Sequence, residues 1–92
     1  MNRLEDRLRE WLGQEVVIDC VSPYVAIGRL AGATESYLEL HEADMHDLRD
    51  TTTSRELYLV ETARLGIRVN RKTVIFRMQE VVGISRLADV TV

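Results

Sequence analysis

A single cysteine, Cys20, leaves this chain no partner for an intrachain disulfide, so no internal cross-link can support a small core. Long apolar runs are missing too, and none approaches the roughly 20 residues that a helical membrane span requires. The amino-terminal MNRLEDRLRE lacks the apolar heart of a signal peptide and is too acidic for a transit peptide. Together these absences predict a soluble, cytoplasmic protein. Catalytic signatures are equally scarce. GRLAG lacks the lysine and the following helix of a phosphate-binding loop. No Ser/His/Asp set has supporting context, and Cys20 lies in an apolar strand with no base placed near it. The expectation is a non-enzymatic chain without a cofactor. There are no repeats, no low-complexity segment and no linker.

What is present is a single domain, 1–92. A chain this short buries only roughly 60–65% of the surface its unfolded form exposes, so it is marginal alone or helped by association. Its net charge of −3 hides an asymmetry. Residues 1–54 carry five basic and eleven acidic side chains, whereas residues 55–86 carry seven basic and three acidic. Such a division suits head-to-tail self-association or an anionic partner for the basic part; two ordinary solvated faces are the plain alternative.

Asn2, with Glu5 three places later, forms a loose capping box, and Leu4, Leu8, Trp11 and Leu12 share a stripe at helical spacing. A helix is predicted over 2–12, stopped by Gly13. The β-branched QEVVIDCV (14–21) reads as a strand, and Ser22-Pro23 as a turn. YVAIGRLAGAT (24–34) is a second strand, with Gly28 and Gly32 predicting a sharp bend. SYLELHEA (36–43) alternates, with Leu38 and Leu40 facing one way and Tyr37, Glu39 and His41 the other. Thr53 precedes Ser54, Arg55 and Glu56 in a second capping box, and Leu57, Val60 and Ala63 follow at helical spacing. A second helix is predicted over 54–65, ended by Gly66. A polar tip at Asn70, Arg71 and Lys72 leads into a fourth strand from about Thr73, and VVGISRL (81–87) is a fifth.

TVIFRM and VVGISRL are strongly apolar, contain no proline and are separated by two residues. Left as exposed edges, such strands would aggregate. Pairing one subunit's edge with a neighbour's covers both, and head-to-tail repetition closes into a ring.

Two stretches carry a family resemblance. GRLAGATESYLEL resembles the first Sm motif, a glycine-x-leucine strand, a turn and an alternating strand. FRMQEVVGI resembles the second, with Phe76, Arg77, Val81 and Ile84 at the right spacing and Met78 where glycine is usual. The chain thus resembles the Sm-like family, which includes the LSm and Hfq proteins, over roughly 3–43 and 70–88. This implies a mostly-β fold: a small, strongly bent five-stranded Sm-like (SH3-like) barrel with an N-terminal helix (1–13). A helix would be inserted in an enlarged connection, 44–69, between strands 3 and 4. It further implies a homo-oligomeric ring of six or seven subunits built by fourth-to-fifth-strand pairing, with single-stranded, uridine-rich RNA as the partner. Of the residues that hold RNA in the family, Arg77 matches directly. Tyr37 stands where a base-binding Asn would be, Glu35 near the stacking position, and Thr34 where Asp is usual.

The acidic stretch HEADMHDLRD (41–50) offers His41, Asp44, His46 and Asp47 as nitrogen and oxygen ligands suited to zinc, manganese or iron. The histidines are five residues apart, unlike HExxH, and on a regular strand would face opposite ways. A solvated acidic connection with no metal is therefore expected. The basic group Arg64, Arg68, Arg71, Lys72, Arg77 and Arg86 would either hold phosphates or pair with Asp44, Asp47 and Asp50 across a subunit boundary. Tyr58 and Trp11 are expected to be packing residues. The predicted function is an RNA-binding ring using Tyr37, Asn70, Arg71, Lys72 and Arg77. The alternative is a protein-interaction scaffold without nucleic-acid binding.

Overall fold

The computed structural model describes residues 3–50 and 52–91. Helix α1 (Leu4–Arg9) is followed by strands β1 (Glu15–Cys20), β2 (Tyr24–Ala33) and β3 (Tyr37–Asp47). Helix α2 (Arg55–Leu65) and strands β4 (Arg71–Arg77) and β5 (Val81–Arg86) complete the chain, with short 3-10 turns at Leu48–Asp50, Met78–Glu80 and Leu87–Asp89. The five strands form one antiparallel sheet in the order β4-β3-β2-β1-β5, so the mostly-β class and both predicted helices are present.

Helix α1 is shorter than its sequence suggests. The chain enters it at Arg3, whose backbone N–H donates to Asp6 Oδ2 at 3.4 Å, so Asp6 rather than Glu5 closes the first turn. The expected cap, Asn2, lies outside the described residues. Of the predicted stripe, Leu8 is buried and Trp11 packs beside it, while Leu4 and Leu12 stay about half exposed. Gly13, at φ 85°, is in the left-handed region that an L side chain enters only with strain, and ends the segment.

Strand β2 bends where its glycines lie. Its pairing with β3 slips between Ile27 and Arg29 and again between Leu30 and Gly32. At the first slip the two backbones crowd together. A Cβ built on Gly28 would lie 2.9 Å from Ala43 Cβ and 3.0 Å from Ala43 Cα. Strand β3 answers with Glu42 at φ 50°, an extra residue opposite Gly28. Such a bulge reverses the side-chain alternation. Leu38 and Leu40 face the inner core before it, and Ala43 and Met45 face the same core after it. This differs from the sequence expectation in two ways. The strand runs four residues beyond Ala43, to Asp47, and the bulge places His41 and His46 on the same face rather than on opposite ones.

Both faces of the sheet are covered. On the inner face, Val16, Ile18, Leu30, Leu38, Leu40 and Phe76 pack beneath Leu8 and Trp11. On the outer face, Val17, Val25 and Ile27 are wholly buried beneath Tyr58 and Leu59 of α2, together with Leu48, Ile67 and Leu87. Each such aliphatic side chain contributes about 1.5–3 kcal/mol by leaving water. Helix α2 begins at Ser54, whose Oγ accepts from Leu57 N at 3.2 Å, one residue later than the Thr53 start that the sequence suggests. It also packs on a different face. Leu57 and Ala63 are exposed, and Tyr58, Leu59 and Thr62 turn inward. Polar anchors decide this rotation: Arg55 Nη1 donates to Asp19 Oδ1 on β1 at 2.8 Å, and Tyr58 reaches Asp44 on β3.

Candidate nucleic-acid interface

Cross-strand register brings two of the expected RNA-contacting residues together. Tyr37 and Arg77 are direct partners across β3 and β4, at the end of the sheet where the β2–β3 and β4–β5 turns meet. Tyr37 is 40% exposed, and Arg77 is exposed with Glu80 Oε1 3.8 Å from its Nη2. The β2–β3 turn is built by Thr34. Its Oγ1 accepts the backbone N–H groups of Ser36 and Tyr37, each at 3.1 Å, and its own N–H donates to Tyr37 O at 2.9 Å. A hydroxyl thus closes this turn at the position where Asp was anticipated. Met78 N donates to Ser36 O at 2.8 Å, tying the β4–β5 turn against it. The nearby Glu39 is engaged by His41, with Nε2 and Oε2 2.6 Å apart.

Asn70, Arg71 and Lys72 lie at the other end of β4, six residues or roughly 20 Å from Arg77 along an extended strand. The five expected residues therefore fall into two places. Arg71 Nη1 donates to Asn70 O at 3.0 Å. The Asn70 side chain is already committed: Oδ1 accepts Met45 N at 2.9 Å, and Nδ2 donates to Met45 O at 3.1 Å and to Asp44 Oδ1 at 2.9 Å. It extends the strand pairing of β3 by one side chain.

That end of the sheet holds a cluster that the sequence reading did not assemble. Asp44 is 6% exposed, and the Tyr58 hydroxyl donates to its second oxygen. Burial, with the Asp44 carboxylate beside it, pushes the Tyr58 phenol well above its ordinary pKa. Tyr58 stacks on His46 with ring centroids 4.4 Å apart and planes 13° from parallel. His46 Nε2 is buried and has no hydrogen-bond partner among the described residues. Helix α2, the end of β3 and the 66–70 strap enclose a cleft of about 810 Å³, with Asp44, His46, Tyr58 and Asn70 on its walls and Arg68 and Val69 at its margin. The available signals were the spacing of Asp44 and His46, which share a strand face, and a tyrosine in the first turns of a helix. Neither distinguishes a clasp from ordinary packing without the chain's path.

The four candidate metal ligands are dispersed. His41 meets Glu39, Asp44 meets Tyr58 and Asn70, His46 stacks on Tyr58, and Asp47 is held by Arg49. Among the described residues no group of three or more His, Cys, Asp or Glu is arranged to hold a metal ion. Arg64, Arg68 and Lys72 form no ion pair among the described residues. No described helix is long and apolar enough to cross a membrane.

No protein-family profile matches the sequence, and no curated protein does. Solved structures do. An Sm protein of Pyrococcus abyssii in complex with a uridine heptamer superposes with a TM-score of 0.64 at 18% identity, covering 92% of this chain and 99% of that one. An Sm-like protein of Archaeoglobus fulgidus gives 0.62 at 14% identity, covering 94% and 96%. A chain of the NatC complex bound to Gag peptide and CoA gives 0.55 at 14% identity, covering 85% and 87%. Helix, strand order, glycine bend and near-complete mutual coverage agree, and the fold of this chain is Sm-like.

Proposed function

We propose that this chain is a non-enzymatic Sm-like subunit that assembles into a closed ring of six or seven copies and binds single-stranded RNA. The observation that carries the RNA reading is the cross-strand pair of Tyr37 and Arg77 at the meeting of two turns. A stacking ring beside a guanidinium is what a base and its phosphate require, and base–aromatic stacking contributes about 1–3 kcal/mol. The likeness to an archaeal Sm protein solved with a uridine heptamer supports the same reading.

Ring assembly draws its support from the sheet order. β4 and β5 are its two edges, each pairing with one neighbour only. Both present apolar side chains to solvent, with Ile75 60% and Val82 71% exposed. Beside the β5 edge, α1 and the sheet leave an apolar groove of about 280 Å³ lined by Leu4, Trp11, Met78, Val82 and Ile84. A neighbour's β4 added to β5 satisfies the unpaired backbone groups and covers this surface.

Two measurements test the proposal. Light scattering is expected to give six or seven times the 10.6 kDa subunit mass; a monomer at high concentration would remove the ring. A labelled uridine heptamer is expected to bind at low salt and weaken as salt rises, and Arg77→Ala should weaken it by about tenfold. Unchanged affinity in Arg77→Ala would remove this RNA site.

The likeness to a chain of the NatC complex favours a second reading, an interaction scaffold with no nucleic-acid role. Specific copurification of a protein partner, together with no RNA binding at low salt, would select it.

A further inference from the structure

We infer that the cleft between α2, the end of β3 and the 66–70 strap is a second nucleotide site, shaped for a base that bears an exocyclic amine, with Arg68 taking the adjoining phosphate. The inference rests on the RNA-binding reading above but uses neither Tyr37 nor Arg77.

Size comes first. About 810 Å³ lies within the range of small-molecule sites and is ample for one nucleotide. Stacking comes next. The parallel His46–Tyr58 pair presents an aromatic wall to the cleft, and a nucleobase is the flat group in a polyanion that such a wall selects. Hydrogen-bonding chemistry then narrows the choice of base. Asp44 is buried at the wall and accepts one bond on each oxygen, from Tyr58 and from Asn70. A carboxylate oxygen has capacity for a second, and acceptor-only chemistry favours an amino group over a carbonyl. Adenine, cytosine and guanine present such an amine; uracil presents carbonyl oxygens there and would face the carboxylate unfavourably. His46 Nε2, buried without a partner, adds one further unmet hydrogen-bonding atom at the same wall.

Charge separates a nucleic acid from a cationic peptide. Buried Asp44 makes the wall acidic, which alone would suit an arginine or lysine side chain. The exposed margin carries Glu61 but also cations. Arg68 lines it, Arg64 adjoins the lining residue Leu65 along the chain, and both lack ion-pair partners among the described residues. Arg68 beside an acceptor-rich wall gives a phosphate its partner while the wall takes an amino-bearing base, a combination that a nucleotide supplies and a cationic peptide does not.

The test uses the full-length protein with labelled heptamers of A, C and U in fluorescence anisotropy at low salt. The A or C heptamer is expected to bind at least as tightly as U. Arg68→Ala, which removes an exposed side chain with no ion-pair partner, should weaken A and C by about tenfold and leave U within about twofold. A second variant, Asp44→Asn, replaces an acceptor oxygen by a donor amide and should narrow the preference for A over U, with circular dichroism confirming the fold. Equal weakening of all three heptamers by Arg68→Ala would overturn the site, because that is a general charge effect. So would tight binding of an arginine-bearing heptapeptide that Asp44→Asn abolishes. The two RNA readings fail separately: U binding lost in Arg77→Ala with A unaffected by Arg68→Ala sinks only the cleft, and the reverse pattern sinks only the Tyr37–Arg77 site.

Discussion

Asp47 ends β3, and Arg49 wraps back on it, donating from its backbone N at 2.9 Å, from Nε at 3.1 Å and from Nη2 at 2.8 Å. Those side-chain and backbone hydrogen bonds hold the carboxyl at a pKa of about 2, below the ordinary value. A lowered folded-state pKa means that the interaction contributes stability above roughly pH 4 and loses it as pH falls through about 2. The stability difference between wild type and Asp47→Asn, followed by urea titration, is therefore expected to be constant from pH 5 to 7, to shrink below about pH 4 and to vanish only below about pH 2. A difference that persisted there would mean that Asp47 acts through something other than its charge. At Cys20, burial raises the thiol pKa, opposed in part by Arg55, which fits its place in the inner core.

Elements were legible where period and punctuation agreed. Five strands, two helices, the two glycine stops and the bend in the second strand all follow from alternation, β-branched runs and glycine positions. The misses have physical reasons. The amphipathic stripe proposed for α2 ran through Leu57, Val60 and Ala63, yet Arg55–Asp19 and Tyr58–Asp44 turn the helix about its axis. Apolar spacing alone carries no information about polar anchors on distant strands. The third strand was cut short at Ala43 because HEADMHD looks like solvated loop chemistry. Strand residues that pair on an outer face under a helix are free to be polar, and the bulge at Glu42 hides their alternation. Gly28 supplies the element-scale prediction. Gly28→Ala forces a methyl to 2.9 Å from Ala43 Cβ and should cost about 1–3 kcal/mol. Gly32→Ala, whose nearest neighbour is 3.8 Å away, should fall within about 0.5 kcal/mol of wild type. Thermal melts of both, with Ala43→Gly added to Gly28→Ala as a partial rescue, check the argument. Equal melting temperatures for the two single variants would refute it.

At the scale of the whole molecule, the expected RNA residues divided because sequence proximity to a motif says nothing of which end of a strand a residue occupies. Asn70 to Lys72 adjoin the second motif in sequence yet stand at the opposite end of β4 from Arg77. The Tyr37–Arg77 pairing was recoverable only once strand register was known. The outer strands, by contrast, were anticipated from two apolar runs without proline, and the order β4-β3-β2-β1-β5 places those runs at its two ends.

Helix α2 does more than lengthen a loop, because it roofs Val17, Val25 and Ile27. Trimming residues 48–69 to a tight hairpin would leave these three aliphatics wet, and such a variant should bind a hydrophobic dye and melt well below the parent. The excursion between the third and fourth strands is therefore a structural lid with its own share of the hydrophobic interior, and the outer aliphatics and the helix above them depend on each other.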